Sequence, residues 1–434
     1  MSNPKLNLIC AVTVCTLLLS VPLFGGSQVR IVRLSDVQGS VEMDKNGGAG
    51  FEKAFLNLPV TQGARLHTGD DGRAEVEFED GSALRLTPNT TVEFLALSLA
   101  DGKHISEVNL VEGKAYANWL GKSGDALTLN FSREKVTLMQ PAHLRLETTP
   151  ARAELAVFKG EVEAVGPSGT LQVVRKKMAT FDPADGDKAV LAKGFDQDAY
   201  DDWDKQASSY HDTYARNNST PYGYGYSDLG YYGAFSNVAG YGQMWQPYFT
   251  GVGWNPFMDG AWAFSPGLGY GWVSAYPWGW MPYMYGNWAF VPGMGWMWQP
   301  GGWNSWSGTP RFIGTPPQRG FSVPVAPTTP GKTLVVGGGG PVLKATPVLR
   351  GTTLITHGSA GLNVPRGSLG NLGRLNREVA KSGSVSLRSA PLAYSATSNR
   401  GITGVSRPVT MPSVPVHSAP VSSPRSSGGS RPHN

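Results

Sequence analysis

Three glutamates at alternate positions, Glu75, Glu77 and Glu79 in "RAEVEFEDG", are the side chains of this 434-residue chain whose type and spacing come closest to acid–base chemistry. Alternation places all three on one face of a strand, and a run of like charge there reads as a solvated face rather than a paired acid and base. His67, His104 and His143 stand apart from one another and lack a ligand-like spacing, so no metal site is expected of them. Asp182, Asp185 and Asp187 lie in "DPADGDKAV", which lacks the alternating ligands and closing glutamate of a calcium loop and reads as a solvated linker. The glycine run "VVGGGGPV" at 335–342 lacks the Lys-Ser/Thr ending of a phosphate loop. Cys10 and Cys15 both fall in an apolar leader. Without that leader there is no disulfide, thiol nucleophile or cysteine-based metal site. The chain therefore reads as a non-enzyme with no cofactor and no metal.

The glutamates must sit on a hairpin, and its register follows from the residues. Ala74, Val76 and Phe78 alternate with the acids, while Leu84 and Leu86 flank Arg85. A two-residue loop at Asp80-Gly81 would set Val76 against Arg85 and mix the faces, since a slip of one residue turns every side chain over. A three-residue loop Glu79-Asp80-Gly81, with Gly81 left-handed, pairs Val76 with Leu84, Ala74 with Leu86 and Glu75 with Arg85. One face is then apolar and the other carries an ion pair. The same period of two runs through "VNLVEGKAYANW", "LTLNFS", "KVTLMQPAHLRLET", "AELAVFKGEVEAV" and "TLQVVRKKMATFD", each followed by a turn-forming residue. Residues 29–182 are accordingly expected to form an all-β sandwich or barrel-like domain.

Within that stretch, "GARLHTGDDGRAEVEFEDGSALRLTPNTTVEF" at 63–94 resembles the FecR-domain family: a Gly, a Thr-Gly, a Gly-Arg-Ala, Asp-Gly-Ser-x-Leu-Arg-Leu and Pro-x-Thr follow in order. "LVEGKAYANW" and "LAVFKGEVEAV" are similar to its later strands. The resemblance, over roughly residues 30–182, implies a periplasmic or envelope β-domain without catalytic residues; founding members relay an outer-membrane receptor signal to a cytoplasmic sigma factor. Those regulators begin with a cytoplasmic helical segment, whereas seven residues precede the apolar run here, which is too short for a sigma-binding domain.

The leader 1–28 has Lys5, an apolar run from Leu8 to Phe24 and then small residues, the pattern of a signal peptide or of an N-terminal anchor. Export to the periplasm or cell envelope is expected. Residues 183–218 read as a linker and an amphipathic helix, with Ala199, Trp203, Ala207, Tyr210 and Tyr214 at helical spacing and acids at the front.

Eleven of the thirteen tryptophans fall between Trp245 and Trp306, inside an aromatic Gly/Pro-rich region, 219–308. Residues 254–272 align onto 280–298 with eleven of nineteen identities at a spacing of twenty-six, and "GYGQMWQP" at 240–247 repeats "GMGWMWQP" at 293–300. This is a tandem array. Three-residue loops pair Trp288 with Trp298 and Phe290 with Trp296, and likewise Trp262 with Trp272 and Phe264 with Tyr270. These eight rings form either a packed core or a platform for an envelope polysaccharide. Strands this short do not cross a bilayer, and with no Lys or Arg in 240–300 no nucleic-acid partner is expected.

Residues 309–434 are low in complexity and read as a largely disordered tail with a brief helix around Leu372–Lys381. From residue 301 onward fourteen Lys/Arg face one acid, Glu378, a charge of +13 that leaves 5 − 13 = −8 for residues 1–300. Such a tail suits a membrane surface or an anionic polymer. Two functions stay open: a non-catalytic exported envelope interaction or scaffold protein, binding glycan or another envelope component, and a FecR-type envelope signalling component acting through a separate membrane partner.

Overall fold

In the computed structural model, which describes residues 29–122, 124–315, 321, 323–328, 334–335 and 352–388, the chain is mainly β. The leader and most of the tail lie outside the described residues. Strands Arg73–Glu77 and Ala83–Leu86 pair with Val76 opposite Leu84, Ala74 opposite Leu86 and Glu75 opposite Arg85. Gly81 adopts φ +92°, so the three-residue loop is built as the alternation requires.

Two sheets share one long strand, Lys103–Trp119. Its second half pairs with Ala83–Leu86 and Ala142–Thr148. That sheet continues outward through Arg73–Glu77 and Val32–Gln38 on one side and Ala153–Lys159, Met178–Asp182 and Lys188–Ala192 on the other. The first half of the long strand pairs antiparallel with Thr90–Ala100 and parallel with Ala126–Phe131 in the second sheet. Between the sheets, Leu34, Leu66, Val76, Leu84, Phe94, Leu129 and Leu155 are among the side chains of one continuous apolar core.

The linking helix spans Asp201–Tyr214, with Asp201, Asp202 and Asp204 in its first turn, where the helix dipole favours acids. Trp203 and Tyr210 face inward from it. In the aromatic region, Gly260–Ser265 pairs with Gly269–Ser274, and Asn287–Val291 with Gly295–Gln299, in the expected register. A third hairpin, Gly233–Val238 with Gly242–Pro247, extends the partial copy upstream of where the sequence identity begins. It joins the third tandem unit through Trp245 opposite Trp298.

The three hairpins share a packing rule. Gly233, Gly260 and Gly286 each precede an indole by twelve residues, namely Trp245, Trp272 and Trp298. A Cβ at Gly260 would lie 2.4 Å from Cζ2 of Trp272, one at Gly233 2.4 Å from Cζ2 of Trp245, and one at Gly286 2.7 Å from Nε1 of Trp298. The indole thus packs close against the backbone at or just before the start of its partner strand, where a Cβ would collide with it. Gly260→Ala is expected to cost about 1–3 kcal/mol by overpacking, read as a lowered thermal midpoint, whereas Gly267→Ala, a turn glycine with nothing within 4 Å, should act only through its φ of +76°.

Part of the low-complexity tail is built as well. Thr352–Thr356 and Ser384–Arg388 form a two-stranded sheet around helix Leu372–Ser382, which includes the helix expected there.

Candidate functional site

The glutamate face is where the structure departs most from its reading as a solvated surface. Glu75, Glu77 and Glu79 are 1, 1 and 6% exposed. The linking helix, the short helix Tyr226–Tyr232 and a segment around Arg366 supply the groups that meet them. Carboxylates shut away from water require charged donors, and each receives them. Arg30 binds Glu79 through Nε at 2.8 Å and Nη2 at 2.7 Å. Arg33 Nη1 lies 3.0 Å from Glu77 and 2.6 Å from Asp228. Arg85 donates to Glu75 at 2.7 Å and to Asp204 of the linking helix at 2.7 Å.

His211 stands between two of the glutamates, with Nε2 3.1 Å from Glu75 and Nδ1 3.2 Å from Glu77. Arg366 closes the array, with Nη1 2.7 Å from Glu75 and a two-pronged contact to Asp228 at 3.0 and 2.9 Å. Burial alone would raise the Glu75 carboxyl, but His211, Arg85 and Arg366 together hold it well below the usual carboxylate range. Asp228 is likewise lowered, with burial opposed by Arg366 and Arg33.

A second cluster anchors the start of the linking helix. Tyr116 donates to Asp198 at 3.1 Å and to Asp201 at 2.8 Å, and Arg145 donates to Asp201 at 2.7 Å. Burial and the two aspartates push the Tyr116 hydroxyl up, so it serves as a donor. The Asp198 carboxyl is lowered, with burial outweighed mainly by Lys114.

Depressed carboxylates stabilise the fold above their unfolded values, near pH 4, and that stabilisation is lost as the pH falls through their lower folded values. Glu75, Asp198, Asp204 and Asp228 all shift in this direction. Below about pH 4 the thermal midpoint should therefore fall steeply, and more steeply than in a Glu75→Gln variant. Parallel curves would mean that Glu75 does not govern the acid limb.

Among the described residues no three His, Cys, Asp or Glu side chains converge as a metal site. His67 bonds Thr91, His104 pairs with Asp125, and His143 lies 2.7 Å from Asp204. Asp182 caps a short turn and Asp187 pairs with Arg133 at 2.7 Å.

The eight rings singled out from the repeat divide in two. Trp262, Trp272, Trp288, Trp296 and Trp298 are buried, while Phe264, Tyr270 and Phe290 are half-buried. The pairs Trp262/Trp272 and Phe290/Trp296 meet edge to face at 5.5 and 5.8 Å. At the centre of the cluster sits Trp278, stacked on Tyr276 at 4.8 Å and within 6.2 Å of Trp245, Trp254 and Trp288. Trp278 lies between two repeats, so the aromatic periodicity gave no reason to single it out. The aromatic region also reaches the β-domain directly. Asn57 donates to the carbonyls of Ser274 and Tyr276, and Arg33 to that of Pro277. Ala261, Ala263 and Val273 belong to the same apolar core as the sheets.

Comparison with known proteins divides the chain along the same line. Residues 64–163 match the family model described as FecR protein, and residues 226–321 match a family of unknown function, DUF6600. None of the curated proteins matches the chain. Among solved structures, two crystal structures of a Parabacteroides distasonis ATCC 8503 protein, described as a putative anti-sigma factor, are similar. They are 15 and 14% identical, each over 34% of this chain and over 72 and 71% of theirs, with a TM-score of 0.28.

Proposed function

We propose that this protein is a non-catalytic, exported component of the cell envelope, in which a FecR-like domain and an aromatic module act as one body in FecR-type signalling through a separate membrane partner. The observation that carries this reading is the fate of the only acid run on the FecR-like strands. Glu75, Glu77 and Glu79 are committed to guanidinium and imidazole groups from four parts of the chain, Arg30 and Arg33, Arg85, His211 and Arg366, and so join modules instead of acting on a substrate. The family match at 64–163 supports a place in envelope signalling. The half-buried rings Phe264, Tyr270 and Phe290 favour a second reading, a scaffold that stacks on an envelope glycan.

Crosslinking the full chain in its native envelope and identifying what co-purifies separates the two. A receptor or a sigma-regulatory membrane protein supports signalling; wall or polysaccharide fragments alone would overturn it in favour of the scaffold.

A further inference from the structure

Glu75, Glu77 and Glu79 are buried and met by cations; another buried glutamate of the β-domain is not. Glu134 opens strand Glu134–Leu138, which pairs with Ala126–Phe131 in the second sheet. It is 2% exposed, and neither of its carboxylate oxygens finds a hydrogen-bond donor among the described residues. The carboxylate lies against Gly166, where a Cβ would come within 1.6 Å of Oε2. An ionised carboxylate shut away from water without a donor is costly, so its orphaned oxygens call for a ligand.

Asp187 reaches the same place from the first sheet. It closes the turn between strands Met178–Asp182 and Lys188–Ala192, with φ +58° and its N–H donating to the Asp182 carbonyl at 2.8 Å. Its side chain is fully buried, so the stretch read as a solvated linker holds an acid turned away from water. Arg133 Nε lies 2.7 Å from Asp187 Oδ2, yet neither Asp187 oxygen is in line to accept a hydrogen bond. Arg133 also donates through Nη2 to the Pro183 carbonyl of the same turn at 2.8 Å, and its side chain is half exposed. Burial raises the Glu134 carboxyl above its ordinary value, Asp187 raises it further, and Arg133 offsets only part of this.

Two buried carboxylates, one from each sheet, thus face a guanidinium that neutralises one of them. Carboxylate and carbonyl oxygens, with no nitrogen or sulfur ligand, are the set that calcium takes; it accepts irregular coordination and completes it with water. Magnesium demands a near-ideal octahedron and gives up its water reluctantly. "DPADGDKAV" lacks the closing glutamate of a calcium loop, and Glu134 brings a glutamate to this turn from a different hairpin, which no spacing within the turn could show.

We propose that Glu134 and Asp187 form a calcium site that ties one sheet of the β-domain to the other, with the Pro183 carbonyl and water as further ligands and Arg133 as the group the ion displaces. Without calcium the guanidinium serves Asp187 alone; with it, Arg133 turns to solvent and both carboxylates are satisfied. The site shares no residue with the Glu75 network and does not depend on which envelope partner binds.

The test uses the full chain stripped of metal by a chelator and titrated with calcium chloride in a calorimeter, with circular dichroism recording the thermal midpoint. One calcium ion per chain is expected, at a Kd of about 10⁻⁴–10⁻³ M as in extracellular calcium modules, with a raised midpoint and weaker binding of magnesium. Glu134→Gln and Asp187→Asn should each weaken calcium binding at least about ten-fold, no less than the loss of an outer partner of a metal ligand. Arg133→Ala should bind calcium more tightly than the parent, because the competing guanidinium is gone, and this decides the matter even where a carboxylate variant fails to fold. Unchanged affinity in the two carboxylate variants, or unchanged or weaker binding by Arg133→Ala, would overturn the proposal. So would a parent without any calcium response, which would leave Glu134 a neutral acid sharing its proton with Asp187.

Discussion

Glu75→Gln should lower the stability of the protein by on the order of 3–5 kcal/mol, although the substitution changes the shape of the side chain hardly at all. In a strand exposed on that face the loss would be about 0–1 kcal/mol, because water would screen the pair with Arg85. Here Glu75 is 1% exposed and meets two guanidinium groups, Arg85 and Arg366, and the imidazole of His211. Removing its charge leaves them buried with only their remaining partners. The measurement is the urea midpoint of the full chain beside that of Glu161→Gln, whose carboxylate lies on the exposed face of strand Glu161–Gly166. The control should stay within about 0.5 kcal/mol of the parent. Equal small shifts for both would mean that water reaches the network, and the docking role assigned to the glutamates would fail with it.

The second large effect is expected at Trp298. Its indole is fully buried, donates to the Tyr285 carbonyl at 2.8 Å and meets Trp303 edge-on at 6.2 Å. Trp298 is also the residue through which the upstream hairpin joins the sheet, opposite Trp245. Trp298→Ala should therefore cost on the order of 3–5 kcal/mol, the range for deleting a large buried ring. Phe264→Ala removes a half-buried ring on the neighbouring hairpin and should cost much less. The pair also tests the scaffold reading. With the full chain, Phe264→Ala should leave the thermal midpoint nearly unchanged, and loss of retention on envelope polysaccharide would locate glycan stacking at the half-buried rings. Unchanged midpoints for Trp298→Ala would remove the ring from the core.

Local features of both modules were legible in the residues because they depend on short-range geometry. Parity of the loop fixes hairpin register: three-residue loops at Glu79–Gly81 and Pro292–Met294 leave only one arrangement in which like side chains share a face. Helical spacing of Trp203, Tyr210 and Tyr214 placed the linking helix, and self-similarity at twenty-six residues revealed the array. The resemblance at 63–94 overlaps, from residue 64 onward, the stretch that the family model matches, 64–163.

What covers a face is a different kind of fact. Alternation shows that Glu75, Glu77 and Glu79 lie together, but it is equally consistent with water or with arginines above them. The partners that decide the matter come from far along the chain, 44 residues away for Arg33 and Glu77, 119 for Arg85 and Asp204, and 291 for Arg366 and Glu75. No local periodicity links positions so distant, and each cation by itself resembles an ordinary surface residue. The same limit hid Trp278, whose place at the centre of the aromatic cluster arises from rings of two hairpins, Trp245 and Trp288, and of a connecting loop, Trp254, meeting in space. Local pattern set the strands and their faces. Only the tertiary packing, which brings opposite charges together out of water, turned an acidic strand into the joint between two modules.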